Sequence, residues 1–288
     1  MCCMFSVKAQ DDLLSLIKVS VPQKEYITNG FKSTRVVNGQ SMELLGAGVL
    51  DFRISHRFGR LNGGSYQLYG LDQATIRLGL DYGISKRLMF GIGRSSSKKE
   101  VDGFLKYRLL WQSAGVRSVP FSLILVSGIS VNGLKFDDTT RTNYFSSRLA
   151  YINQVVIGRK FNERITLQFS PTFIHRNLVS KTVNRHDVIA LGTQGRFKFT
   201  KRLAFMVEYF YVFPGSAQDI EYTNSLSIGF DIETGGHVFQ LHFTNSVGMN
   251  ERAFITETDG KWQNGDVQFG FNISRVFTIV NKKKIPKM

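Results

Sequence analysis

At 288 residues the chain could hold two soluble domains or one large barrel, so length alone excludes neither. Its 24 Phe and 10 Tyr against 5 Pro, with mean hydropathy near zero, describe apolar residues spread thinly and regularly, as a wall with one greasy and one wet face requires. The net charge of +15 invites a nucleic-acid face, but Lys and Arg are scattered along the chain and only Lys282, Lys283, Lys284 and Lys287 form a run, which reads as a solvated tail.

Residues 1–10, MCCMFSVKAQ, read as the tail of a secretory signal: a stunted apolar run, then Ala9-Gln10 as a cleavage site before Asp11-Asp12. The missing basic start implies a true start codon further upstream. Cys2 and Cys3 both fall in this remnant, so the mature chain is expected to hold no disulfide, thiol nucleophile or Cys-bound metal. Residues 11–47 mix charge, Gly and short apolar groups without a sustained period, and predict a periplasmic lead-in or partial plug.

From Val49 the pattern changes to alternation at period 2, the signature of half-buried strands. The first strand, about 49–58, sets Leu50, Phe52, Ile54 and Phe58 against Asp51, Arg53, Ser55 and Arg57. The second, about 74–84, sets Ile76, Leu78, Leu80 and Tyr82 against Thr75, Arg77, Gly79 and Asp81. Ten more candidates follow, at 87–95, 101–111, 120–131, 147–161, 164–175, 187–199, 203–213, 223–232, 237–247 and 266–279. The longest apolar stretch, Phe121 to Val131, is broken by Ser122, Ser127, Gly128 and Ser130, far short of the roughly 18 to 20 residues of a spanning helix.

One turn recurs. Ser85-Lys86-Arg87-Leu88, Asn162-Glu163-Arg164-Ile165 and Thr200-Lys201-Arg202-Leu203 each place a polar pair, then Arg, then the aliphatic residue that opens the next strand. All three follow even-numbered strands, while most odd-to-even links are long: 59–73, 132–146, 176–186, 214–222 and 248–265. Short turns on one side and long loops on the other predict an all-β fold, a transmembrane antiparallel up-and-down barrel of 12 strands over residues 48–280, followed by a basic tail at 281–288. Such parity places both termini in the periplasm.

Phe31 to Gly39, Leu50 to Gly59, Gly70-Leu71-Asp72-Gln73-Ala74 and Arg77 to Gly83 resemble a family of outer-membrane β-barrel proteins of Bacteroidota with no established activity. The resemblance is densest over residues 31–110. It implies architecture and outer-membrane location, with lipid, lipopolysaccharide and the barrel-assembly machinery as partners, and supplies no site residues.

If the aromatic-rich face meets lipid, the lumen holds Asp51, Arg53, Arg57, Arg77, Asp81, Asp102, Lys106, Arg108, Arg148, Lys160, Arg196, Lys198, Glu208 and Asp231. That set is mildly basic and would favour small anionic solutes. The bland account is that these charges pair across neighbouring strands, such as the first two, and fill a narrow interior. His56 lies on the lipid face, beside Ala74, Val267 and Phe269 rather than a serine it could activate. His175, His186 and Asp187 flank one loop without a close ligand spacing. Gly91-Ile92-Gly93 sits inside an alternating strand, so it reads as small lumen residues rather than a nucleotide loop.

No cofactor or catalytic residue is expected. The leading expectation is a passive pore or small-solute channel; the alternative is a closed structural or adhesive barrel acting through its extracellular loops. A membrane enzyme and a soluble β-barrel rank below both.

Overall fold

The computed structural model describes residues 23–136, 140, 142–179, 185–215 and 222–280. The signal-like start with Cys2 and Cys3, residues 11–22 of the lead-in and the basic tail at 281–288 lie outside the described residues. Twelve strands close into one antiparallel barrel. In chain order they are β1 (Val49–Arg60), β2 (Ala74–Gly83), β3 (Leu88–Ser95), β4 (Val101–Leu110), β5 (Ser122–Val131) and β6 (Leu149–Lys160). The second half comprises β7 (Ile165–Arg176), β8 (Asp187–Lys198), β9 (Leu203–Val212), β10 (Ser225–Thr234), β11 (His237–Thr244) and β12 (Gln268–Thr278).

Each strand pairs with its chain neighbour, and β12 closes on β1 with Val49 opposite Thr278 and Ile54 opposite Ile273. Closure removes every free edge, the only way a sheet can satisfy its backbone groups within a bilayer. No helix among the described residues is long and apolar enough to cross a membrane.

Burial alternates along the strands as period 2 requires. Phe52, Leu78, Leu80, Ile92, Leu105, Leu125, Phe169 and Ile189 stand outward and exposed, whereas Asp51, Arg53, Arg77, Lys106 and Glu208 are buried inside. A continuous apolar belt of this extent exceeds what a soluble protein leaves uncovered. Rings gather toward both margins. Tyr82 with Phe90 and Phe197 with Phe199 lie near the short turns, and Phe58, Phe269, Tyr211 and Phe213 near the long loops.

The recurrent turn has a recurrent geometry. Ser85 Oγ, Asn162 Oδ1 and Thr200 Oγ1 each accept the backbone N–H groups two and three residues ahead, at 2.8–3.2 Å. The carbonyls of Arg87, Arg164 and Arg202 then accept from the next strand but one, at 2.8 Å in every case. The polar residue holds the bend and the arginine is the first to rejoin the ladder.

Two inserted segments fill the lumen. Residues 30–45 enter from the short-turn end and fold into a tight hairpin: Val36 N–H donates to the Gly39 carbonyl, Ser41 N–H to Thr34, and Arg35 pairs with Gln40. The segment returns over Gly83, where any side chain would collide with the Gly46 carbonyl 2.1 Å away, and joins β1 at Gly48. From the long-loop end, α1 (Glu251–Thr256) reaches in, its N-terminus capped by the Asn250 side chain accepting from Ala253 N–H. The loop at 248–265, expected to project outward, is thus folded back into the barrel. All six residues of α1 are buried.

Two apolar clusters anchor the inserts. Phe31, Val36, Val37, Met42 and Leu45 pack against Met89, Phe104, Ile124, Val126, Val156 and Met206. Phe254 and Ile255 pack against Ile152, Ile174, Val188 and Phe210. Each such side chain contributes about 1.5–3 kcal/mol relative to exposure.

Candidate functional site: the filled lumen

The charged wall residues converge on the inner hairpin. Glu208, on β9, accepts three successive backbone N–H groups at its tip: Val37 at 3.3 Å, Asn38 at 3.0 Å and Gly39 at 2.9 Å. Consecutive amides pointing at one carboxylate form an anion nest. Gly39 is required there, since a Cβ would come within 2.9 Å of the Phe210 ring.

The cations hold carbonyls. Lys106 Nζ donates to Thr34 and Glu43, Arg108 to Met42 and Arg196 to Gly30, at 2.7–3.3 Å. Arg57 donates to Asn38 Oδ1 at 2.6 Å, and Arg53 reaches the hydroxyls of Ser33 and Thr34. Thr34 in turn donates to Asp81 at 3.0 Å. The wall therefore recognises the backbone of the hairpin more than its side chains.

The remaining charges pair within the wall. Arg77 binds Asp102 through two bonds of 2.8 and 2.5 Å. That pair spans two strands, and β3 makes room for it with glycine: a Cβ on Gly93 would lie 2.1 Å from Arg77 Nη2. Arg53 pairs with Asp51 on its own strand at 3.1 Å. Arg196 Nε stands 3.5 Å from Asp231 Oδ2, close enough for an ion pair but without hydrogen-bond geometry. Pairing of opposite signs directly across β1 and β2 does not occur: Asp51 faces Asp81, and Arg53 faces Gly79.

Arg148, expected in the lumen, instead ends the turn before β6 at the long-loop rim. There its guanidinium donates to the carbonyls of Asn132 and Leu134 and lies over the Phe136 ring. The chain turns through residues 145–148 before the strand period begins, so the side chain never enters the alternation. Lys160 and Lys198 close their strands at the short-turn mouth, with Lys160 paired to Glu163 at 2.8 Å.

The two inserts meet. Arg35 of the hairpin donates to Glu251 of α1 at 2.9 Å, with both side chains at least nine-tenths buried. Wall partners of the hairpin that alternation alone could not single out are Gln168, which accepts from Met42 N–H and donates to Gln40, and Gln240 and Asn272, which donate to Val36 and Val37. Neutral amides on a lumen face carry no charge signal in a sequence.

His56 points outward as expected, but its neighbours are Ile76 and Phe271, not Ala74, Val267 and Phe269. Across β1 and β2 it is Phe58 that faces Ala74, and toward β12 the register shifts between Gln268 and Gly270. The ring stacks on Phe271 at 4.8 Å. His175 Nδ1 lies 2.6 Å from Asp187, whereas His186 Nδ1 is engaged by the Arg176 carbonyl. Among the described residues no three His, Cys, Asp or Glu side chains converge as a metal site.

A closed barrel with an apolar outer belt, aromatic margins and a charged interior is a membrane-spanning β-barrel. The chain belongs to the family described as membrane bound beta barrel domain (DUF5777), whose pattern matches residues 31–277 and so takes in the inner hairpin as well as the strands. In architecture the chain is similar to the NanC porin (TM-score 0.50, 8% identity, 79% of this chain and 98% of that one). Other similar structures are the KdgM porin (0.47, 8%, 80% and 99%) and an outer membrane channel from Pseudomonas putida F1 (0.46, 13%, 82% and 97%). At such identities the likeness is one of fold. No curated protein matches the sequence.

Proposed function

We propose that the protein is an outer-membrane channel of the plugged kind, with both termini in the periplasm and lipopolysaccharide around its loops. Residues 30–45 close its lumen at rest. The observation that carries this reading is that the closure is not made by the wall. Side chains alone fill a barrel of about eight strands, while roughly 16 to 18 leave an aqueous channel. Twelve strands lie between, and here a separate segment occupies the remaining space.

Its seat is half apolar and half polar. Buried donors that reach no acceptor among the described residues, such as Arg53 Nη1, Arg57 Nε and Arg108 Nε, mark the polar half as a surface that water can enter when the hairpin shifts. Small anionic solutes suit the cations thereby uncovered: Arg53, Arg57, Lys106, Arg108 and Arg196. Insertion by the barrel-assembly machinery fits the closed sheet.

Planar-bilayer recording tests the reading. The intact chain should conduct rarely, and a chain with residues 30–45 replaced by a Gly-Ser linker should show steady steps, after heat-modifiable migration in gels has shown that its barrel is folded. A folded linker variant without conductance would refute the channel and leave the second reading, a closed barrel acting through its loops. The fold-back of α1 favours that alternative by sealing the loop end as well.

A further inference from the structure

At the long-loop end, above α1, the wall and loops enclose a cleft of about 480 Å³ lined by Lys98, Lys135, Arg148, Arg176, Arg252 and Glu257 together with aliphatic side chains. Five of these six groups are cations. Two are already matched: Arg252 grips Glu100 at 2.6 and 2.7 Å, and Arg252 and Lys98 share Glu257.

Among the described residues Arg148, Arg176 and Lys135 are left over. The arginines donate to backbone carbonyls, Arg148 to those of Asn132 and Leu134 and Arg176 to that of Arg185. Among the described residues none of the three has a carboxylate at ion-pair distance. Arg148 is further held flat by its ring contact with Phe136, 4.0 Å from the centroid. Guanidinium groups fixed in this way are suited to the two oxygens of a carboxylate or phosphate. Apolar walls such as Leu134, Leu149 and Leu178 concentrate the field of the cations in the cleft.

We propose that this cleft binds a small soluble oxyanion, a carboxylate- or phosphate-bearing solute, between Arg148 and Arg176 with Lys135 at the mouth. The site deepens the channel reading by naming the solute class captured before passage, although binding itself does not depend on conduction. Its floor lies next to the hairpin's contact with α1: Arg252 follows Glu251, which accepts from Arg35.

Isothermal titration of the refolded full-length chain in neutral detergent, with citrate and inorganic phosphate as probes and glucose as the uncharged control, tests the site. Citrate should bind, and its affinity should fall at least tenfold in Arg148→Gln plus Arg176→Gln and severalfold in Lys135→Gln, an exposed position at which folding is not at issue. Citrate binding no stronger than glucose, or unchanged in the double variant, overturns the assignment. So does binding of lipopolysaccharide-containing micelles without binding of soluble citrate or phosphate. A chain that binds citrate but never conducts keeps the site and loses the channel; one that conducts without binding does the reverse.

Discussion

Replacing Glu208 by Gln removes the charge on which three backbone N–H groups of the hairpin tip converge. Hydrogen bonds to a charged group contribute about 1.5–3 kcal/mol each. The amide oxygen, set where Oε2 lies, still accepts from Val37 and Gly39 but without the charge, while its NH2 group faces the Asn38 N–H, whose bond is lost. Against that loss stands the desolvation of a buried carboxylate, several kcal/mol, which disappears with the charge. The balance is a weaker seat by about 1–3 kcal/mol, or roughly tenfold to a hundredfold more time undocked. Val36 and Val37 contribute about 1.5–3 kcal/mol each and still hold the tip down for most of the time. The effect is therefore a faster excursion rather than a permanently open lumen. A reporter cysteine at Val36, fully buried in the closed state, measures it once Cys2 and Cys3 are changed to Ser. Maleimide should label the Glu208→Gln chain at least ten times faster than the same reporter with Glu208 intact. Equal rates in two folded barrels would show that the nest does not hold the tip.

Three further outcomes follow from the packing. Gly93→Ala brings a Cβ to 2.1 Å from an Arg77 guanidinium that is buried and doubly bonded to Asp102, so the pair must part; breaking a buried pair costs about 3–5 kcal/mol, read as a lower urea midpoint of the refolded barrel, and an unchanged midpoint would contradict the argument. Phe254→Ala removes the ring that meets Phe210 at 4.9 Å and should cost about 3–5 kcal/mol in docking α1, exposing residues 245–267 to protease while heat-modifiable migration of the barrel persists. Burial pushes the Glu257 carboxyl up, but Arg252 and Lys98 outweigh it and hold the group below its usual range. A lowered folded value means that the contribution to stability is present above the unfolded value and lost as pH falls through the folded one, so α1 should loosen below about pH 4. Trp262 emission in a Trp111→Phe background should shift red there; a flat trace from pH 6 to 3 would sink this reading.

The strands were legible because every wall position answers to one rule, outward or inward, that a sequence of period 2 writes directly. The turns at Ser85, Asn162 and Thr200 were legible for a related reason: the bonds that define them lie within four residues. The hairpin was not. Its partners Lys106, Gln168, Glu208, Gln240 and Asn272 come from five different strands, and no local spacing links them to residues 34–43. The sequence around Phe31 to Leu45 hinted only at apolar groups without period, consistent with a plug or with a simple lead-in. α1 has six residues, too few for a helical repeat to show, and its Asn250 cap is a three-residue signal inside a long polar loop. The lumen charges were found by alternation, while their partners depended on depth along the barrel. That is why Arg77 pairs with Asp102 two strands away and Asp51 is left facing Asp81.

The hairpin is continuous with β1 through Gly48, whose N–H donates to Gly83 and whose carbonyl accepts from Ile279 and Val280. A displaced plug is therefore tethered beside the mouth it came from, and its return is an intramolecular event at an effective concentration on the order of millimolar. Reclosure should be first order and indifferent to how densely the membrane is populated. Tension applied to residues 23–45 from outside would be borne at Gly48, the point where the first and last strands meet, so the cork and the seam of the barrel share one mooring.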